Sequence, residues 1–288
     1  MKNKGSLSVI VILIAVLSAI AALSGIFSEW GSGTFMYESI RGRMVEIYGT
    51  GIYRHMSADV AIQGIAQDYI TLTAGIPVLL ISLLYARKGS FRGRLVIAGT
   101  LFYFLVTYLF YTAMGMYNEL FLVYAALTGL SFFGLMITLL SFDIHVVKEH
   151  FRPDSPTGFA GGFLIFNSLA IGLMWLSVVV PPMISGEIYP DSLQHYTTLI
   201  VQGFDLGLLL PISFVLGIML LQKKPLAYLC GTAYLVFLSL LMTALSAKII
   251  SMASHDVNVI PAIFIIPAIN IATIIIALLT VRRTEQTF

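Results

Sequence analysis

Residues 7–27 read LSVIVILIAVLSAIAALSGIF, a run that contains no charged side chain. An α-helix rises about 1.5 Å per residue, so about 20 mainly apolar residues cross a hydrocarbon core of about 30 Å. This run therefore predicts a helix that is long enough to cross a bilayer once.

Similar segments recur along the chain. The whole sequence is 58% hydrophobic and 10% charged, whereas soluble domains carry about 25% charged residues. Long continuous runs also differ from the alternating strands of an outer-membrane barrel. We therefore predict an all-α, polytopic membrane bundle in which residues 1–288 form a single domain embedded in a lipid bilayer. Its eight predicted helices are residues 7–27, 68–86, 95–115, 120–142, 158–183, 198–221, 226–247 and 258–281.

The basic residues predict the orientation, because Lys and Arg in loops concentrate on the cytoplasmic side. With a cytoplasmic N-terminus, only Arg41, Arg43, Arg54 and Lys248 fall on the other side. The sequence thus predicts a multi-pass protein of the cell membrane with both termini in the cytoplasm. The basic residues on the cytoplasmic side are then Lys2, Lys4, Arg87, Lys88, Arg92, Arg94, Lys148, Arg152, Lys223, Lys224, Arg282 and Arg283.

The first helix has a second interpretation, since Lys2 and Lys4 followed by an apolar run also fit a cleaved signal peptide. The apolar region of a signal peptide has about 7 to 15 residues, and the run here has a full bilayer width. We favour a retained helix, while cleavage would leave seven helices. Nucleic acid is not a predicted partner, because the net charge of +2 is divided among short loops.

The longest predicted loop, residues 28–67, lies on the extracytoplasmic side. Its residues Met36, Ile40, Met44 and Ile47 recur at helical spacing, which predicts an amphipathic helix at the membrane interface, folded back onto the bundle. Ser57 is a good N-cap, so the second membrane helix should begin there, before it enters the bilayer.

Two halves of the chain, residues 1–142 and 158–288, show a weak internal similarity. In each half an acid, a proline and a basic pair occur in the same order along a helix that runs towards the cytoplasm. This order predicts two parallel four-helix repeats. The matched residues are Asp68, Pro77, Arg87 and Lys88 in the first half, and Asp205, Pro211, Lys223 and Lys224 in the second.

Asp205 is the leading candidate for function, because an acid inside a membrane helix is costly and usually marks a site. Gly203 and Gly207 flank it in a pattern that lets another helix approach closely. Lys248 lies at a similar predicted height, so a structural ion pair with Asp205 and a ligand-binding acid are both open. The candidate binding residues are Asp205, Asp68, Gln202, Lys248, His55, Asp59 and His195.

A metal site is the weaker interpretation of the histidines. His55 and Asp59 are four residues apart and, with His195 or His255, offer zinc ligands. No HExxH motif and no cysteine ligand accompany them. We therefore predict no metal, and the sequence indicates no particular cofactor.

Two classes of function remain open. The first is a transporter or small-molecule binding protein with a polar pocket on the extracytoplasmic side. The second is a membrane-embedded enzyme that acts at the outer surface on a lipid or lipid-linked substrate. The possible repeat and the proline-containing helices favour the first class. The lack of an ionisable group near the predicted membrane midplane weighs against coupled transport.

Overall fold

The computed structural model describes residues 4–255, 257 and 259–284. In this part of the chain, eight helices are long and apolar enough to cross a membrane. The predicted all-α membrane bundle is confirmed, although Lys2 and the predicted start of the last helix at residue 258 lie outside the described residues. The helices are α1 (Gly5–Phe27), α2 (Ala58–Arg87), α3 (Phe91–Ala113), α4 (Phe121–Leu140), α5 (Thr157–Ser185), α6 (Ile200–Leu221), α7 (Pro225–Ser254) and α8 (Ala262–Arg282).

The bundle has two ends that differ in their loops. One end, called the hairpin end below, carries the segments 28–57, 114–120 and 186–199 and, in the described part of the last loop, residues 255, 257 and 259–261. The opposite end, called the basic end, carries the segments 88–90, 141–156 and 222–224.

The segment that was predicted to form an amphipathic helix is a β-hairpin instead. Strand β1 (Phe35–Glu38) pairs antiparallel with β2 (Met44–Ile47), with Phe35 opposite Ile47. Gly42 takes a positive φ of 73° in the connecting turn, where its N–H donates to the carbonyl of Ser39. The alternation of residues along β2 buries every second side chain, and this two-residue period competes with the helical period.

The prediction that an apolar helix face in this loop folds back onto the bundle is also wrong, because the segment is a pair of strands and not a helix. Ile40 sits at the tip of the hairpin with 93% of its surface exposed, and Met36 and Met44 are exposed too. Of the predicted apolar set only Ile47 is buried, beside Val45.

Helix α2 begins at Ala58, directly after Ser57, as predicted, but the Ser57 side chain makes no capping hydrogen bond and lies 3.3 Å from the Tyr196 hydroxyl instead. Inside α2 the residues Thr71–Gly75 form one π-helical turn, and Ile76–Arg87 continue as α-helix with Pro77 in the first turn. Proline has no N–H and its ring collides with the preceding turn. A wider turn just before Pro77 lets the helix continue past it.

Helix α6 has the same construction. Its π-helical turn is Asp205–Leu209, and the α-helix that follows, Leu210–Leu221, has Pro211 in its first turn. The two π-helical turns thus stand at the same distance before Pro77 and Pro211. This shared feature agrees with the predicted repeat, which stays a prediction.

The eight helices form one connected bundle, in which α7 packs against α2 and α3 as extensively as against the helices of its own half. By chain order alone, α1 to α4 and α5 to α8 are called the two helix groups below. Helices α1 to α4 contact one another, as do α5 to α8, and the groups meet where α7 packs against α3 and α2. Gly99 of α3 lies directly against Ala233 and Val236 of α7, with no room for a Cβ atom. In the second group, Gly161 and Gly217 bring α5 and α6 into backbone contact.

Candidate functional site

A cavity of about 290 Å³ lies at the hairpin end, between the two helix groups. Helices α2, α3 and α4 line one side of it, and α5, α6 and α7 line the other. Loop 186–199 contributes Ser192, Gln194 and Tyr196 to its wall. The polar and aromatic side chains contributed by the helices are Asp59, Gln63, Tyr111, Tyr124, Trp175, Gln202 and Lys248.

Lys248 brings a positive charge into this cavity. It lies on α7, about 9 Å from the end of the helix at Ser254 at 1.5 Å per residue. Its side chain is partly exposed to the cavity. Within the described chain its ammonium group makes no hydrogen bond and no ion pair shorter than 4.0 Å.

Asp68 lies behind the cavity wall and is only 1% exposed. The Tyr53 hydroxyl donates to one carboxylate oxygen at 2.5 Å, and the Tyr111 hydroxyl donates to the other at 3.1 Å. Gly25 of α1 fits against this carboxylate because it has no side chain; a Cβ atom there would collide with Asp68. Tyr53 and Tyr111 line the cavity, so the two rings separate Asp68 from it.

Tyr53 precedes α2, in a short 3₁₀ turn outside the membrane helices. Burial, followed by the nearby negative charge of Asp68, raises the pKa of Tyr53 well above its usual range. The phenol therefore stays protonated and acts as a donor to Asp68.

Buried polar side chains continue from Asp68 towards the centre of α2 and α3. The amide of Gln67 donates to the Tyr103 hydroxyl at 2.8 Å, and Thr71 is 2.9 Å from the same hydroxyl. Such a network inside a membrane bundle holds helices in one arrangement, because each group would otherwise lose its partner in an apolar medium.

Asp205 of α6 accepts a hydrogen bond from a side chain of α5. The indole N–H of Trp175 donates to its carboxylate at 2.7 Å. The direct Asp205–Lys248 ion pair considered from the sequence does not form, although Lys248 lies within the electrostatic influence of both Asp205 and Asp68. The predicted close approach of a helix at Gly203 and Gly207 is wrong too, because a Cβ atom at either position would meet nothing within 4 Å.

The β-hairpin is tied to the loop that forms part of the cavity wall. The guanidinium of Arg41 donates to the carbonyls of Gln194 at 3.1 Å and Tyr196 at 2.8 Å. Arg43 pairs with Asp191 of the same loop. Since exposed ion pairs contribute about 0–1 kcal/mol, we assign most of this attachment to Arg41.

Loop 186–199 also forms hydrogen bonds with the start of α2. The side-chain amide of Gln194 donates to the carboxylate of Asp59 at 2.9 Å, and the Tyr196 hydroxyl accepts from the backbone N–H of Ser57 at 3.2 Å. Loop 186–199 therefore covers the mouth of the cavity with polar contacts to both the hairpin and α2.

A second polar contact fixes the segment before α2. The guanidinium of Arg54 donates to both carboxylate oxygens of Glu119, at 2.6 and 3.2 Å. These hydrogen bonds lower the pKa of Glu119 and raise that of Arg54. The contact joins the 3₁₀ turn that carries Tyr53 to the loop between α3 and α4.

The candidate metal ligands His55 and His195 lie next to each other, but neither lines the cavity. A ring nitrogen of His195 bonds to the backbone carbonyl of His55 at 3.1 Å. Among the described residues, no group of three or more His, Cys, Asp or Glu side chains is placed to hold a metal ion.

The residues predicted from the sequence fall into three positions. Asp59, Gln202 and Lys248 line the cavity, Asp68 and Asp205 bond to side chains that line it, and His55 and His195 contact each other outside its lining.

Sequence reasoning missed the groups that bond to the buried Asp68 and to the partly exposed Asp205. Tyr53 and Tyr111 donate to Asp68, and Trp175 donates to Asp205. One signal was available for Trp175, because the chain has two tryptophans and only this one lies inside a membrane helix. An indole N–H there needs an acceptor from another helix.

The chain matches no protein-family model, no curated protein and no solved structure. What the cavity binds is therefore inferred from its own residues. These offer one cation, one carboxylate at the mouth, several neutral hydrogen-bonding groups and aromatic rings. Such a mixture is typical of a pocket for a small molecule.

Proposed function

We propose that this protein is a transporter that binds a small molecule in the cavity at the hairpin end. The observation that carries the proposal is the position of the cavity, which lies between two four-helix groups and is lined by both. A ligand held there contacts both groups at once, as a mechanism that rocks one group against the other requires.

The basic end supports the same interpretation. Between α3, α7 and the loop before α5, six apolar side chains are buried together. They are Phe91, Leu95, Val147, Phe151, Tyr228 and Leu229. The protein thus has a cavity at one end of the α3–α7 contact and an apolar seal at the other, the asymmetry expected of one state of an alternating-access cycle.

We further propose that the hairpin end faces away from the cytoplasm, with both termini in the cytoplasm. The proposal rests on the distribution of basic residues. In a Cys230→Ser background, a cysteine replacing exposed Asp191 should react with an impermeant maleimide added to intact cells. A cysteine replacing exposed Lys88 should react only after the cells are permeabilised. The opposite labelling pattern would reverse the orientation.

Transport itself can be tested by cysteine accessibility in the same background. In permeabilised membranes, a cysteine replacing Gln202 of the cavity should react readily. A cysteine replacing Leu229, which is 3% exposed, should react slowly but measurably, because the seal opens once per cycle. Lys148→Cys, on the exposed loop at the basic end, is the control for delivery of the reagent.

A bulky group in the cavity should hold it open and so slow the reaction of the cysteine at position 229. Modification at Gln202→Cys with a bulky maleimide, in a protein that also carries Leu229→Cys, should reduce the rate at Leu229 by about tenfold or more. A Leu229 cysteine that never reacts, while Lys148→Cys reacts fully, would instead indicate a receptor or an enzyme with a one-sided pocket.

A further inference from the structure

The ammonium group of Lys248 has three N–H donors and no acceptor. It borders the cavity, and none of the described residues accepts a hydrogen bond from it. A cation inside a membrane bundle is expensive unless it is paired or reaches water. The group is therefore available to an acceptor that enters the cavity.

Two acids act on Lys248 through space, and neither occupies its donors. Asp68 is engaged by the hydroxyls of Tyr53 and Tyr111, and Asp205 by the indole of Trp175. Neither acid lines the cavity, whereas their three donors do. At the level of Lys248 an incoming molecule thus meets a cation surrounded by aromatic rings.

The mouth of the cavity has the opposite charge. Asp59 stands nine residues before Asp68 on α2, which places it about 13 Å nearer the hairpin end at 1.5 Å per residue. Its carboxylate accepts from Gln194, so it is partly satisfied. Negative charge at the mouth and positive charge inside orient a ligand whose acidic group points inward.

We propose that the cavity binds a small organic anion, with its carboxylate or phosphate group on Lys248 and a flat or apolar body against Trp175 and Tyr111. This inference rests on the proposed function, of which it names the substrate class. Charge-assisted hydrogen bonds are about twice as strong as neutral ones. A volume of about 290 Å³ restricts the ligand to a compact molecule.

Four probes of similar shape test the charge requirement: benzoate, phenyl phosphate, benzamide and benzylamine. Binding is measured on the purified full-length protein in nanodiscs by isothermal titration calorimetry. We expect benzoate or phenyl phosphate to bind about ten- to a hundredfold more tightly than benzamide, because only the anions form charged hydrogen bonds with Lys248. Which of the two binds better distinguishes a carboxylate from a phosphate ligand.

Three variants assign the effect to Lys248. Lys248→Met should remove the preference for the anions, and Lys248→Arg should retain most of it. Lys224→Met, at the exposed basic end, is the matched control and should bind as the unmodified protein does. A melting temperature for each variant shows that it is folded.

Several results would overturn this inference while leaving the proposed function intact. They are equal affinity for benzamide and benzoate, tighter binding of benzylamine, anion binding that survives Lys248→Met, and no binding of either anion. The proposed function fails separately, through the cysteine at Leu229, whose reaction does not depend on any of these probes.

Discussion

Replacing Gly99 by alanine should destabilise the protein by about 1–3 kcal/mol or more, the range typical of overpacked cores. Gly99 lies on α3 against the backbone carbonyl of Ala233 and the side chain of Val236 on α7. A methyl group added there meets backbone, which a rotamer change cannot relieve. The loss should appear as a lower melting temperature in detergent.

Gly129→Ala is the matched control for this change. Gly129 lies inside α4, and a Cβ atom at that position would meet nothing within 4 Å. Because alanine is favoured over glycine in a helix by about 1 kcal/mol, this variant should be as stable as the unmodified protein or more stable. Equal melting temperatures for the two variants would show that α3 and α7 do not touch at Gly99.

The Gly99 contact also limits how the two helix groups can move. It joins α3 to α7 between the cavity and the seal at the basic end. A rocking motion needs a region of close contact about which the groups turn, and small residues permit such contact. Gly99→Ala should therefore slow the reaction of a cysteine at Leu229 more than Gly129→Ala does, in protein that remains folded.

The membrane helices were predictable because a single physical requirement governs them. A span of about 20 apolar residues can be recognised in a single sequence without knowledge of how the helices pack. Each predicted segment overlaps an observed helix. The start of α2 at Ala58 was predicted from Ser57, although the capping hydrogen bond on which the prediction relied does not form.

The loop between α1 and α2 was not predictable in the same way. Its apolar residues satisfy both a period near four and a period of two, so the pattern did not separate a helix from a strand. Gly42 at the turn was the deciding local signal. The contacts that hold the hairpin, from Arg41 to the backbone at Gln194 and Tyr196, depend on segments far apart in sequence.

The residues of the candidate site were easier to predict from the sequence than their hydrogen-bond partners. An acid or a lysine within a membrane helix stands out in any sequence, which is why Asp68, Asp205 and Lys248 were found. Their partners depend on how the helices are rotated. The aromatic donors turn towards the acids, while Lys248 turns towards the cavity, and neither rotation is encoded by hydropathy.

Replacing Asp68 by alanine should cost about 1–3 kcal/mol of unfolding free energy. The change removes the shortest acceptor of the Tyr53 hydroxyl, which keeps only the longer contact to the Tyr111 hydroxyl at 3.3 Å, while Tyr111 keeps the carbonyl of Gly64. A poorly satisfied buried polar group costs about 1–3 kcal/mol. Asp68→Asn keeps an acceptor oxygen of the same shape and should cost less. Glu187→Ala, at an exposed position on loop 186–199, should leave stability unchanged.

Removing the two hydroxyls together with the acid distinguishes the cost of lost hydrogen bonds from the cost of the cavity that the Asp68 side chain leaves. In the triple variant Asp68→Ala, Tyr53→Phe, Tyr111→Phe no donor is stranded, so its destabilisation should be smaller than the sum of the losses from Asp68→Ala and from the double phenylalanine variant. Reversible unfolding in mixed micelles measures each free energy. Strictly additive losses would mean that the three groups do not interact. In that case the acid would not be what fixes Tyr53 and Tyr111 as a wall between Asp68 and the cavity.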